Sequence, residues 1–122
     1  MFQFFHIEKH DRVDVLRLVS EDGTNRLTRL CILALIDAVH DLSVSERPLI
    51  FTGNSKFFSA GADLGEIATL RGPDAYEFSK MGQELMNRVA HFPAAVFASV
   101  NGYCMGGGLD LALACDRRTA GA

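Results

Sequence analysis

A chain of 122 residues with 48% hydrophobic and 22% charged residues has the balance of a water-soluble globular protein, and its length predicts a single domain. A net charge of -3 and an isoelectric point near 5.7 give no reason to expect a nucleic-acid partner, which would favour a basic face, and leave room for a local basic patch that holds phosphates. The apolar start, Met1 to Phe5, is cut short by His6, Glu8 and Lys9, too early for a secretory or membrane segment. A cytoplasmic location without membrane association is the resulting expectation. Cys31, Cys104 and Cys115 cannot all pair and show no C-x-x-C spacing, which predicts reduced thiols acting as small buried fillers. His6, His10, His40 and His91 lack metal-ligand spacing, and no metal is expected.

Residues 2–9 and 13–19 are two short β-prone runs separated by His10-Asp11-Arg12, which predicts a hairpin. The polar stretch 20–25 then reads as a loop. Over 27–42, Leu30, Ile32, Leu33, Leu35, Ile36, Val39 and Leu42 predict a largely buried helix. Residues 48–52 (PLIFT) form an apolar run closed by Gly53, hence a buried strand. Residues 53–63 are glycine-rich and read as a structured loop. Asp63 with Glu66 has the chemistry of a capped helix start. Beyond Gly72-Pro73, Phe78, Met81, Leu85 and Val89 give one apolar face to a second long helix over 74–90. His91-Phe92-Pro93 ends it. Residues 94–100 (AAVFASV) predict a strand with neighbours on both faces. Asn101-Gly102 turns the chain, and Gly106, Gly107 and Gly108 lead into an apolar helix over 109–115. The order β-β-α-β-α-α-β-α makes this an α/β protein.

The informative feature is an arrangement that occurs twice. A short buried strand ends in a glycine-bearing loop that opens a helix, once in FTGNSKFFSAGADL (51–64) and again in SVNGYCMGGGLDLALACD (99–116). Small residues let a ligand approach the main chain closely, and a helix N-terminus presents unpaired N–H groups and a positive dipole end. Two such loops brought together could aim two N–H donors at one oxygen, as an oxyanion hole requires. The glycines of the second loop do not follow G-x-G-x-x-G, so a dinucleotide site has the wrong spacing. No G-K-[ST] follows either cluster, and there is no G-x-S-x-G nucleophile elbow. For either loop alone, tight helix–strand packing is the favoured explanation of the glycines, because fold motifs often serve packing alone.

Taken together, FFSAGADLGEI and ASVNGYCMGGGLDLALACD resemble the paired signature segments of the crotonase (enoyl-CoA hydratase/isomerase) superfamily. The opening hairpin followed by Asn25-Arg26-Leu27-Thr28 is similar to that family's start. The resemblance covers essentially the whole chain and implies a crotonase-type ββα spiral. It also implies that residues 1–122 are the N-terminal part of such a domain, a truncated spiral. The implied activity is acyl-CoA binding with oxyanion-hole stabilisation of a thioester enolate, and coenzyme A arrives on the substrate, so no separate cofactor is expected.

By this resemblance the main-chain N–H groups of Ala62 and Gly107 would hold the thioester oxygen, each donor worth about 3 kcal/mol in the transition state. Ser59, Ala60, Gly61, Ala62, Asp63 and Leu64 match the segment bordering coenzyme A, and Arg26 and Leu27 match its N-terminal wall. Arg26 reads equally as a phosphate contact or an ordinary solvated arginine. Asp63 and Asp116 read as structural, Asp63 as a helix cap. Asp110 stands where the family's hydratases carry a catalytic glutamate. It is shorter by one methylene, roughly 1.5 Å of reach, and a displacement of about 1 Å can cost on the order of a hundredfold in rate. The helix dipole alone would also favour a carboxylate there, so both readings of Asp110 stay open.

The family's second catalytic carboxylate lies beyond Ala122, after the strand expected to follow CDRRTAGA. Hydration, double-bond isomerisation, thioester hydrolysis and decarboxylation therefore remain open, as does a non-catalytic acyl-CoA-binding or oligomerisation role. The resemblance implies self-association, as a trimer or hexamer of the parent protein.

Overall fold

The computed structural model describes residues 3–120. The predicted hairpin is present as β1 (Phe5–Lys9) and β2 (Asp14–Leu18), antiparallel in the register Phe5↔Leu18 to Lys9↔Asp14. Phe2, included in the first expected run, lies outside the described residues. β1 is an edge strand with one neighbour, whereas β2 buries Val15, Leu16 and Leu18. That difference is why only the second run carries core residues.

The first helix, α1 (Arg29–Ser43), begins two residues later than the apolar pattern implies because Thr28 caps it, accepting from the Cys31 N–H. It buries Cys31, Ile32, Leu35, Ile36, Ala38, Val39 and Leu42. Leu30 and Leu33 do not join them; they are 63% and 41% exposed. At 100° per residue both fall outside the arc of the buried residues, so the expectation of a largely buried helix is corrected at these two positions.

The next strand, β3 (Leu49–Thr52), lies parallel to β2 with Asp14↔Leu49 and Arg17↔Thr52 paired. The loop expected over 53–63 contains a strand too short to show a pattern in the sequence, β4 (Phe57–Ser59). The short helix α2 (Leu64–Ala68) and the long α3 (Pro73–Ala90) follow, α3 with Pro73 in its first turn. Of the predicted apolar face of α3, Leu85 and Val89 are buried, while Phe78 and Met81 pack half-buried against the core.

The predicted central strand is β5 (Val96–Val100), parallel to β3. The two-residue β6 (Tyr103–Cys104) pairs with β4, and α4 (Gly107–Ala114) follows. A further strand, β7 (Arg117–Ala120), pairs with β5. The strand was expected after CDRRTAGA, but Arg117–Ala120 is itself that strand. Its RRTA sequence is exposed and charged, as suits a sheet edge, and carries no apolar signal.

The result is a five-stranded sheet in the order β1-β2-β3-β5-β7 and a second, two-stranded sheet β4-β6. Each of two successive turns runs strand of the large sheet, strand of the small sheet, helix. This is a ββα spiral rather than a single doubly wound sheet. Phe51, Phe58, Leu16, Leu35, Leu49, Leu85 and Leu111 fill its centre, each worth about 1.5–3 kcal/mol of burial. Among the described residues, no helix is long and apolar enough to cross a membrane.

Candidate active site

Because β3 and β5 are adjacent, parallel and in register, with Thr52 opposite Ser99, the loops that leave them emerge side by side. The small sheet continues the alignment, pairing Phe57 with Tyr103 and Ser59 with Cys104. The first loop is shaped by Asn54, whose Oδ1 accepts the N–H groups of Lys56 and Phe57. It is then clasped to the segment before α1. The Ala60 N–H donates to Thr24 O and the Leu27 N–H to Gly61 O, and Arg26 bridges Gly61 in parallel. The expected wall residues Arg26 and Leu27 thus lie directly beside the expected binding segment.

The two loops touch at Gly61. Its φ is +86°, and a Cβ there would come within 2.7 Å of Met105 O and 3.1 Å of Gly107 N. Only glycine satisfies both the backbone conformation and the close approach. From the other side, a Cβ on Gly107 would lie 3.9 Å from Ala62 N. Gly107 is the first residue of α4, where an N–H has no intrahelical acceptor. Among the described residues, neither the Ala62 nor the Gly107 N–H finds a hydrogen-bond acceptor.

Both residues line a cleft of about 780 Å³ between the loops, α3 and α4, whose walls include Leu27, Phe78, Met86 and Asp110. Among its described lining residues Asp110 is the one carboxylate, exposed in the first turn of α4. The apolar period of α3 by itself predicts only a packing face. Phe78, Gly82 and Met86 recur every four residues on it, and the small residue between two large ones was the signal of a groove.

Other predicted residues take different places. Ser59 is fully buried and its hydroxyl is spent inside the loops, on Asn25 O and the Gly61 N–H. Asp63 caps α2, accepting from the Gly65 and Glu66 N–H groups. Glu66 does not close a reciprocal box on Asp63; its Oε1 accepts the Arg29 N–H at 2.7 Å and so caps α1. Asp116 accepts the Val96 N–H at 2.7 Å and ties the end of α4 to β5. Arg26 is exposed. Leu64 opens α2, and its side chain lies outside the described residues. Burial pushes the Cys31 and Cys115 thiols up to about 12 and raises that of half-buried Cys104, which makes them poor nucleophiles. Among the described residues, no three His, Cys, Asp or Glu side chains cluster as a metal site would need.

Comparison with known proteins gives this architecture a family. A family model described as enoyl-CoA hydratase/isomerase matches residues 8–122. A crotonyl-CoA hydratase of Syntrophomonas wolfei is 35% identical over 119 residues, covering 93% of this chain and 45% of its own length. A probable enoyl-CoA hydratase of Bacillus subtilis is 44% identical over 75 residues, 61% of this chain and 29% of the relative. The crystal structure of an enoyl-CoA hydratase from Bacillus anthracis superposes with a TM-score of 0.90 at 30% identity, covering 97% of this chain and 47% of that one. The chain therefore belongs to the enoyl-CoA hydratase/isomerase family, and its spiral is the crotonase fold. It spans less than half the length of these relatives.

Proposed function

We propose that this chain binds an acyl-CoA thioester and polarises its carbonyl through the Ala62 and Gly107 N–H groups. The observation that carries the reading is the pair of main-chain donors on one cleft wall, unpartnered among the described residues, with a Gly107 Cβ position only 3.9 Å from Ala62 N. Such donors favour the oxygen most when charge has built on it, as in an enolate, and so lower the barrier rather than merely tightening binding. The apolar wall of Phe78 and Met86 would take the acyl group. Arg26, exposed at the loop edge beside Gly61, would meet a phosphate of coenzyme A.

Asp110 shares the cleft and is the acid/base candidate for moving a proton to or from the acyl chain. Hydration needs two carboxylates around one water, and a single carboxylate lines the cleft among the described residues. That observation favours, as the second reading, acyl-CoA binding without efficient hydration by these residues alone.

The test is the absorption spectrum of cinnamoyl-CoA bound to the full chain. Polarisation of the carbonyl shifts the band to the red. Gly107→Pro suits the first position of a helix and removes one donor. It should bind the probe and lose most of the shift. A folded variant with an unchanged spectrum would exclude Gly107 as a donor.

A further inference from the structure

We propose that Ser59 is the positioning residue that sets the spacing between the two donors; the inference rests on the reading that Ala62 and Gly107 hold a thioester oxygen. Ser59 touches both loops at once. On the side of the first loop, its Oγ accepts the Gly61 N–H at 3.0 Å and donates to Asn25 O at 2.7 Å. A hydroxyl has one proton and two lone pairs, so both bonds form together and each fixes the direction of the other. On the side of the second loop, Ser59 O accepts the Met105 N–H at 3.1 Å. The bare Cα of Gly108 also lies against it, because a Cβ there would come within 2.6 Å of Ser59 Cβ and 2.7 Å of its carbonyl oxygen.

The support beneath Ser59 is itself fixed. Asn25 is 3% exposed and holds φ +54°, a left-handed conformation that asparagine tolerates better than most residues. Its Nδ2 donates to Phe57 O and Phe58 O, and its N–H donates to Ser20 Oγ. Asn25 is thereby bound to β4, which delivers Ser59, on one side and to the preceding loop on the other.

The consequence lies in the order of the chain. Gly61, whose N–H is bound by Ser59, immediately precedes Ala62. Gly108, whose Cα packs on Ser59, immediately follows Gly107. Each donor is one residue from an atom that Ser59 holds, and no other side chain in the structure makes both contacts among the described residues. A movement of Ser59 therefore changes the distance between the donors, and about 1 Å of misplacement can cost on the order of a hundredfold in rate. A serine that only satisfies loop polar groups would stabilise the fold without setting this distance.

The experiment separates those roles by reading the red shift per bound cinnamoyl-CoA rather than stability. Ser59→Ala keeps the Cβ that meets Gly108 and removes the acceptor of the Gly61 N–H. It should bind the probe with less than half of the wild-type red shift. Ser59→Cys, whose sulfur is a weak acceptor, should recover part of that shift, and it carries the comparison if Ser59→Ala does not fold. A variant of lowered melting temperature whose bound probe keeps the full shift would overturn the positioning role while leaving the two donors intact. A wild-type chain that binds the probe without any shift would overturn the oxyanion-hole reading and this inference with it.

Discussion

Replacing Gly61 by alanine tests the contact on which the candidate site depends. Two costs are separable there. At φ +86°, an L-residue in left-handed backbone costs about 1–2 kcal/mol. The added methyl would also sit 2.7 Å from Met105 O and 3.1 Å from Gly107 N. Those neighbours are main chain and cannot rotate away, so the loops must part, at an overpacking cost of about 1–3 kcal/mol. The sum predicts a loss of about 2–5 kcal/mol. Gly72 supplies the control, since its φ is +47° but a methyl there meets nothing within 4 Å. Gly72→Ala should lose only a backbone cost, about 1–3 kcal/mol for a conformation of φ +47° and ψ −113° that side chains rarely adopt. Urea denaturation of both variants, at matched m values, gives the difference directly. Gly61→Ala should in addition weaken the red shift of bound cinnamoyl-CoA, and Gly72→Ala should leave it alone. A Gly61→Ala loss no larger than its backbone cost of about 1–2 kcal/mol, with the red shift unchanged, would mean that the loops do not meet at Gly61, and the site as described would fall.

Arg47→Ala should be costly although Arg47 stands far from the cleft. Its Nε donates to Asp14 Oδ1 at 3.2 Å, and its guanidinium also reaches Asp11 O and His10 O. Asp14 is 1% exposed, so the variant strands a buried carboxylate; with Arg47 itself one-third open to water, the low end of the usual range applies, about 3 kcal/mol. A loss within error in urea denaturation would show that water serves Asp14 instead. Gly82→Ala should act in opposite directions on stability and binding. A methyl at this mid-helix position of α3 meets nothing within 4 Å, so stability should rise by about 0.5–1 kcal/mol. The same methyl enters the cleft that Gly82 lines, so decanoyl-CoA should bind more weakly than before while butyryl-CoA is little changed. Equal effects on both ligands would take Gly82 off the acyl path.

The elements long enough to show a period were legible in the sequence. α1, α3, β2, β3 and β5 all bury a recognisable apolar set. β4, β6 and β7 were not legible, for two different reasons. Three and two residues are too few to alternate, and what defines β4 and β6 is their pairing with each other. β7 is exposed along its whole length and has no hydrophobic pattern to read. Within the site, the glycines marked where the two loops meet, since close approach leaves a compositional trace. The positioning role proposed for Ser59 left none. A buried serine and a surface serine are the same letter, and only the Asn25, Gly61 and Gly108 contacts tell them apart.

The spiral also explains why two separate glycine motifs can make one site. A single strand–loop–helix unit presents one N–H at one helix end, and that arrangement serves packing as readily as binding. Here consecutive turns place β3 beside β5 and β4 beside β6 in parallel, so equivalent points of two turns come to rest next to each other. The first donor comes from the approach to α2 and the second from the first residue of α4. Neither helix end by itself fixes where an oxygen should sit. On the proposed reading the distance between them does, held by main-chain bonds to the small sheet and by the hydroxyl and carbonyl of Ser59. On that reading the side chains of the cleft, Asp110 among them, set the chemistry while the proposed polarising pair stays in place.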